Sequence, residues 1–137
     1  MNAIPLVDLA AQQAEISEEV MAGLSEVFAT TAFIGGKPVG EFELAYAEAT
    51  GVAHCVGVAN GTDALELALR GVGVTAGGEV ILPANTFIAT AEAVSRIGAV
   101  PVLVDVDDEH LLIHPDLVAA AITDKTQAVV PVHLFGQ

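Results

Sequence analysis

Apolar residues recur at helical spacing near the start of the chain. Ile16, Val20, Leu24, Val27 and Phe28 fall at i, i+4, i+8, i+11 and i+12, one stripe on a helix of about 20 residues. Glu15, Glu18, Glu19 and Glu26 form its wet side. Thr31 to Gly40 carries Gly35, Gly36, Pro38 and Gly40, which break regular structure and predict an exposed loop. A second amphipathic helix is expected to follow, with Phe42, Ala45, Tyr46 and Ala49 on its buried side and Gly51 as a left-handed terminator.

From His54 the pattern changes to short apolar runs alternating with helices. His54 to Ala59, Glu79 to Leu82, Val100 to Val104 and Ala128 to Val132 read as Val-rich strands, apolar on both faces as strands of a covered parallel sheet are. Helices are predicted at about Thr62 to Gly71, Thr86 to Ile97 and Pro115 to Ile122. The class is α/β. Right-handed crossovers then stack the helices on the sheet and gather the loops that follow the strands along one edge, where such sheets bind ligands. The one internal boundary lies in the Gly-rich loop near residue 36, dividing 1–36 from 37–137. Val132 to Gln137 leaves a buried-looking strand with no closing helix, which predicts the N-terminal portion of a longer protein.

Composition narrows the partners. Of the 137 residues 53% are hydrophobic and 16% charged, which excludes disordered, collagenous and low-complexity chains. Lys and Arg number 4 against 18 Asp and Glu, and a net charge of −14 repels nucleic-acid backbones and anionic membranes. Cys55 is the only cysteine, so no internal disulfide and no cysteine zinc cluster can form, which suits a reducing cytoplasm. The opening Met1 to Pro5 lacks a cationic segment followed by an apolar one, and apolar runs end after about ten residues where a bilayer needs about 20, so a soluble, unexported protein is expected.

The strongest chemical signal is Asn60-Gly61-Thr62-Asp63, a strand turning directly into a helix. Free N–H groups in a first helical turn, a positive dipole end and a residue without a side chain make a bed for an anion, to which Thr62 adds a hydroxyl. A tight turn with a helix cap accounts for the same four residues. Asp63 with Glu66 resembles a capping pair, and Glu66 with Arg70 an i, i+4 ion pair. Phe87 stands at the next strand exit, where its ring can cover a flat ligand or fill core. Asp105, Asp107, Asp108 and Glu109 crowd one loop, but His110 holds the position an EF-hand gives to glycine, and the histidines match no zinc spacing, so no metal site is assigned. No Gly-x-Ser-x-Gly elbow exists.

Four stretches in order, Asn60 to Leu69, Glu79 to Thr90, Gly98 to Asp107 and Pro131 to Gln137, resemble successive motifs of the DegT-type (DegT/DnrJ/StrS) sugar aminotransferases. The opening Ile4 to Leu9, Phe33-Ile34-Gly35-Gly36 and Phe42-Glu43 match as well. The resemblance implies part of the fold type I (aspartate aminotransferase-like) large domain, mainly a parallel sheet flanked by helices, preceded by an N-terminal helical segment. It implies pyridoxal 5′-phosphate as cofactor and transfer of an amino group, usually from glutamate, to a nucleoside-diphosphate keto sugar in amino-deoxysugar biosynthesis. Carried over residue by residue, Gly61, Thr62 and Asp63 hold the cofactor phosphate and Phe87 stacks on its ring. Phe33, Ile34 and Gly35 lie near the sugar, and a homodimer shares the site.

The family's Schiff-base lysine and the carboxylate partner of the pyridine nitrogen come after the region matched. Lys37 and Lys125 correspond to neither, so no catalytic residue is assigned within this chain. Two alternatives stay open: a sugar dehydratase of the same family, and a non-catalytic regulatory or binding relative. His114 precedes Pro115 where relatives often carry Asp as a helix cap, so a weaker helix start is expected there.

Overall fold

The computed structural model describes residue 4 and residues 7–136; Met1 to Ala3, Pro5, Leu6 and Gln137, on which parts of the leader and terminal-motif readings fall, lie outside the described residues. Two compact units divide the chain, 1–57 and 58–137. The boundary drawn at residue 36 is the loop between the two helices of the first unit.

The first unit holds α1 (Leu9–Thr30) and α2 (Lys37–Thr50). Asp8 opens α1 by accepting the Ala11 N–H at 3.0 Å, and Thr31 closes it with φ 53° in the left-handed region. The loop is shorter than the sequence predicts, because Pro38 is tolerated in the first turn of α2, where its missing N–H has no intrahelical acceptor. Gly51 terminates α2 at φ 70°, as expected.

Burial corrects the sequence reading in this unit. No residue of α1 is buried, and Phe42, Ala45, Tyr46 and Ala49 of α2 are exposed; the buried residue there is Ala47. Periodicity identifies which face of a helix is apolar but not what covers it, and the described residues leave this face uncovered. Its rings pack among themselves, Phe28 edge-on to Phe33 at 5.7 Å and Phe42 against Tyr46 at 5.6 Å.

The second unit runs α3 (Gly61–Gly71), β1 (Glu79–Pro83), α4 (Ile88–Arg96), β2 (Val100–Val104), α5 (Pro115–Ala121) and β3 (Thr126–Val129). All strands are parallel, in the order β2-β1-β3. The chain steps from β1 to β2 and then returns past β1 to β3, so right-handed crossovers put α4 and α5 on opposite faces. Central β1 is buried from Val80 to Pro83, with Val80, Ile81 and Leu82 fully inaccessible. Val80 and Leu82 face a core made with Leu69 of α3 and Ala93, Val94 and Ile97 at α4.

Three sequence expectations shift. His54 to Ala59 forms no ladder, and Val56 is 76% exposed: an apolar run shows readiness for burial, whereas a strand also needs a partner, and β1 to β3 offer it none. The last strand starts earlier than predicted, since pairing reaches polar Thr126. At α5 the His114 imidazole replaces the missing Asp, its Nδ1 accepting the Asp116 N–H at 3.2 Å.

Candidate functional site

Parallel β1 and β2 open their C-terminal ends on one edge of the sheet, and each ends in a short loop to a helix. After β1, Pro83 to Phe87 is anchored at three points. The Ala84 N–H donates to the Val104 carbonyl at 2.8 Å, Asn85 Nδ2 to the Leu111 carbonyl at 3.0 Å, and the Thr86 and Thr90 hydroxyls meet at 3.0 Å. Phe87 is the residue that caps α4, in extended conformation, with 73% of its surface exposed. A fixed backbone thus presents a free aromatic ring. Of the two readings left open by the sequence, core filling is excluded within the described residues.

The acidic loop after β2 is the brace of that arrangement. Asp107 accepts the N–H groups of His110, Glu109 and Leu112 at 2.6, 3.0 and 3.3 Å, and its carboxyl is held below the usual range chiefly by the His110 N–H. The turn so formed puts Leu111 at φ 57°, with its carbonyl on Asn85. Asp107 is therefore engaged with its own loop. Among the described residues no group of three or more His, Cys, Asp or Glu is placed to hold a metal.

At the start of α3, Asn60 is the cap. Its extended backbone leads into Gly61, its Oδ1 accepts the Asp63 N–H at 2.9 Å, and its Nδ2 donates to Asp63 Oδ2 at 2.9 Å. This corrects the capping pair expected of Asp63 and Glu66: the partners are Asn60 and Asp63, at the capping-box spacing of three residues. Asn60 followed three residues later by Asp63 was the signal in the sequence. The N–H groups of Gly61 and Thr62 and the Thr62 hydroxyl make no hydrogen bond among the described residues. The fold itself does not require glycine at 61, since an added Cβ meets nothing within 4 Å. Its absence leaves the two amides open on their outer side, at the positive end of the helix dipole.

Behind this turn lies an ion network linking α3 to α4. Arg96 gives Nη1 to Asp63 Oδ1 and Nε to Glu66 Oε2, each at 3.0 Å, and Arg70 reaches Glu66 Oε1 at 3.1 Å. The Glu66–Arg70 pair was legible as an i, i+4 spacing. Arg96, 33 residues from Asp63, carried no signal for its role. A cavity of about 300 Å³ lined by Val58, Ala59, Asp63, Glu66, Leu67 and Arg96 opens the network to water.

The predicted cofactor residues Gly61, Thr62, Asp63 and Phe87 all lie in the second unit, at the starts of two helices that pack on each other. The predicted sugar-side residues Phe33, Ile34 and Gly35 lie in the first unit, in the loop between α1 and α2; Phe33 is 62% and Ile34 97% exposed. Lys125 immediately precedes β3, at the sheet edge opposite the strand exits, and Lys37 pairs with Glu41 at 3.4 Å.

Over residues 14–137 the sequence matches the DegT/DnrJ/EryC1/StrS aminotransferase family. The chain belongs to that family. It is 48% identical over 135 residues to the UDP-N-acetyl-3-dehydro-alpha-D-glucosamine 3-aminotransferase of Acidithiobacillus ferrooxidans, covering 98% of this chain and 37% of that enzyme. The structure superimposes on S. venezuelae DesV in complex with a ketimine intermediate with a TM-score of 0.93 and 41% identity, over 100% of this chain and 37% of that one. NtdA of Bacillus subtilis, solved with bound cofactor PMP, gives a TM-score of 0.92 at 33% identity, over 100% of this chain and 32% of NtdA. The α/β fold is thus that of the family's aminotransferases, and the chain spans about a third of the length of these relatives. Among the described residues no helix is long and apolar enough to cross a membrane.

Proposed function

We propose that this chain supplies the phosphate-binding turn and the ring-stacking aromatic of a pyridoxal 5′-phosphate-dependent aminotransferase that moves an amino group from an amino acid, glutamate in first place, to a nucleoside-diphosphate keto sugar. The observation that carries the reading is the first turn of α3, where the Gly61 and Thr62 amides and the Thr62 hydroxyl are left open in a chain of this family. When bound, the cofactor supplies the carbonyl that takes up the amino group and a ring that withdraws electrons from the reacting carbon.

The chain's own residues bind and orient. The amides of Gly61 and Thr62 donate to phosphate oxygens, the Thr62 hydroxyl adds a third donor, and the dipole of α3 favours the negative charge. Asp63 contributes by its place in the turn, its own N–H being taken by Asn60. Phe87 lays an apolar face on one side of the ring and keeps water from it. Phe33, Ile34 and Gly35 serve the sugar side, and the lysine that joins the cofactor comes from outside residues 1–137. The exposed apolar face of α1 and α2 supports a homodimer, and the lone Cys55 a cytoplasmic setting.

The test is cofactor affinity of the complete protein. Thr62→Ala is expected to weaken pyridoxal 5′-phosphate about tenfold, the worth of one hydrogen bond to a charged group, while pyridoxal, which lacks the phosphate, is bound as before. Phe87→Ala weakens both ligands. Equal loss of the two ligands in Thr62→Ala, or none, refutes the assignment.

A further inference from the structure

Asp63 puts a carboxylate in the very turn whose amides face the phosphate, and a negative group there opposes the binding of a dianion. That carboxylate is fully engaged. Oδ1 takes Nη1 of Arg96 at 3.0 Å and Oδ2 takes Nδ2 of Asn60 at 2.9 Å, so it is drawn toward α4. The same guanidinium gives its Nε to Glu66, whose other oxygen is held by Arg70. Two arginines and two carboxylates cancel, and they use half of the 4 Lys and Arg residues in a chain with a net charge of −14. Arginine suits the task because its separate N–H groups reach two carboxylates at once, which a lysine ammonium does as a single point.

We propose that Arg96 is a positioning residue for the phosphate site: by holding Asp63 against α4 and cancelling its charge, it lets the Gly61 and Thr62 amides donate to a phosphate dianion. The proposal rests on the reading of the α3 turn given above. Arg96 acts through Asp63, its guanidinium being engaged with Asp63 and Glu66. Its effect is therefore specific to ligands that carry the phosphate.

The experiment measures dissociation constants of pyridoxal 5′-phosphate and of pyridoxal in the complete apo-protein. Arg96→Gln is expected to weaken the phosphate-bearing ligand about tenfold and pyridoxal less than about twofold, and adding Asp63→Asn is expected to restore most of the loss. Arg96→Lys keeps the charge but loses one contact and falls between the two. If Arg96→Gln does not fold, Arg96→Lys and the double variant, in which Glu66 alone loses its Arg96 partner, carry the comparison. An unchanged affinity, an equal loss for both ligands, or no rescue by Asp63→Asn overturns the proposal. NMR separates this from failure of the site itself: if inorganic phosphate moves the Gly61 and Thr62 amide signals of the unmodified protein, the site stands and only the role of Arg96 is at stake; if it does not, the site reading falls.

Discussion

Asn60 and aspartate are nearly interchangeable at most helix starts, and position 60 is expected to be an exception. Asn60→Ala removes the acceptor for the Asp63 N–H and the donor to its carboxylate, both at 2.9 Å. Loss of such a cap costs about 1 kcal/mol. Asn60→Asp keeps the acceptor but turns the second contact into two carboxylates face to face. Like charges about 4 Å apart repel by about 1 kcal/mol in water and about 4 kcal/mol at a protein surface. The Asp63 side chain is 28% exposed and Arg96 sits 3.0 Å away, so the lower part of that range applies. A net cost of about 1–2 kcal/mol is expected, no smaller than that of the alanine variant. Hydrogen exchange at Asp63 and Ala64, read with urea unfolding, is the assay. Opening of the first turn should speed about fivefold in Asn60→Ala and about fivefold to thirtyfold in Asn60→Asp. An Asn60→Asp protein as stable as the unmodified one at neutral pH would refute the reciprocal cap.

Two further outcomes follow from the same geometry. Gly98→Ala is expected to cost about 1–2 kcal/mol in urea unfolding, since φ is +79° and the new Cβ would stand 3.1 Å from that of Ala76; a cost near zero would mean that the turn between α4 and β2 relaxes. Asp107 has a depressed value in the folded state, so its stabilisation is present above the unfolded value of about 3.9 and is lost as pH falls through the folded one. Asp107→Asn should therefore lower the urea midpoint at neutral pH by an amount that vanishes in acid; a pH-independent difference would show that the carboxylate charge is not what organises the loop.

The sequence specified this protein locally. Helical periods, the helix terminator at Gly51, the helix start at Asn60 to Asp63 and the Glu66–Arg70 pair all depend on neighbours within a few residues, so they are written in the order of the chain. Only tertiary structure could decide what depends on distant residues. Among the described residues it left the apolar faces of α1 and α2 and the His54 to Ala59 run without cover or partner, because hydrophobicity records a tendency to be buried and not the surface that buries it. It also brought Arg96 to Asp63 and Leu111 to Asn85 across loops whose closure no local pattern encodes.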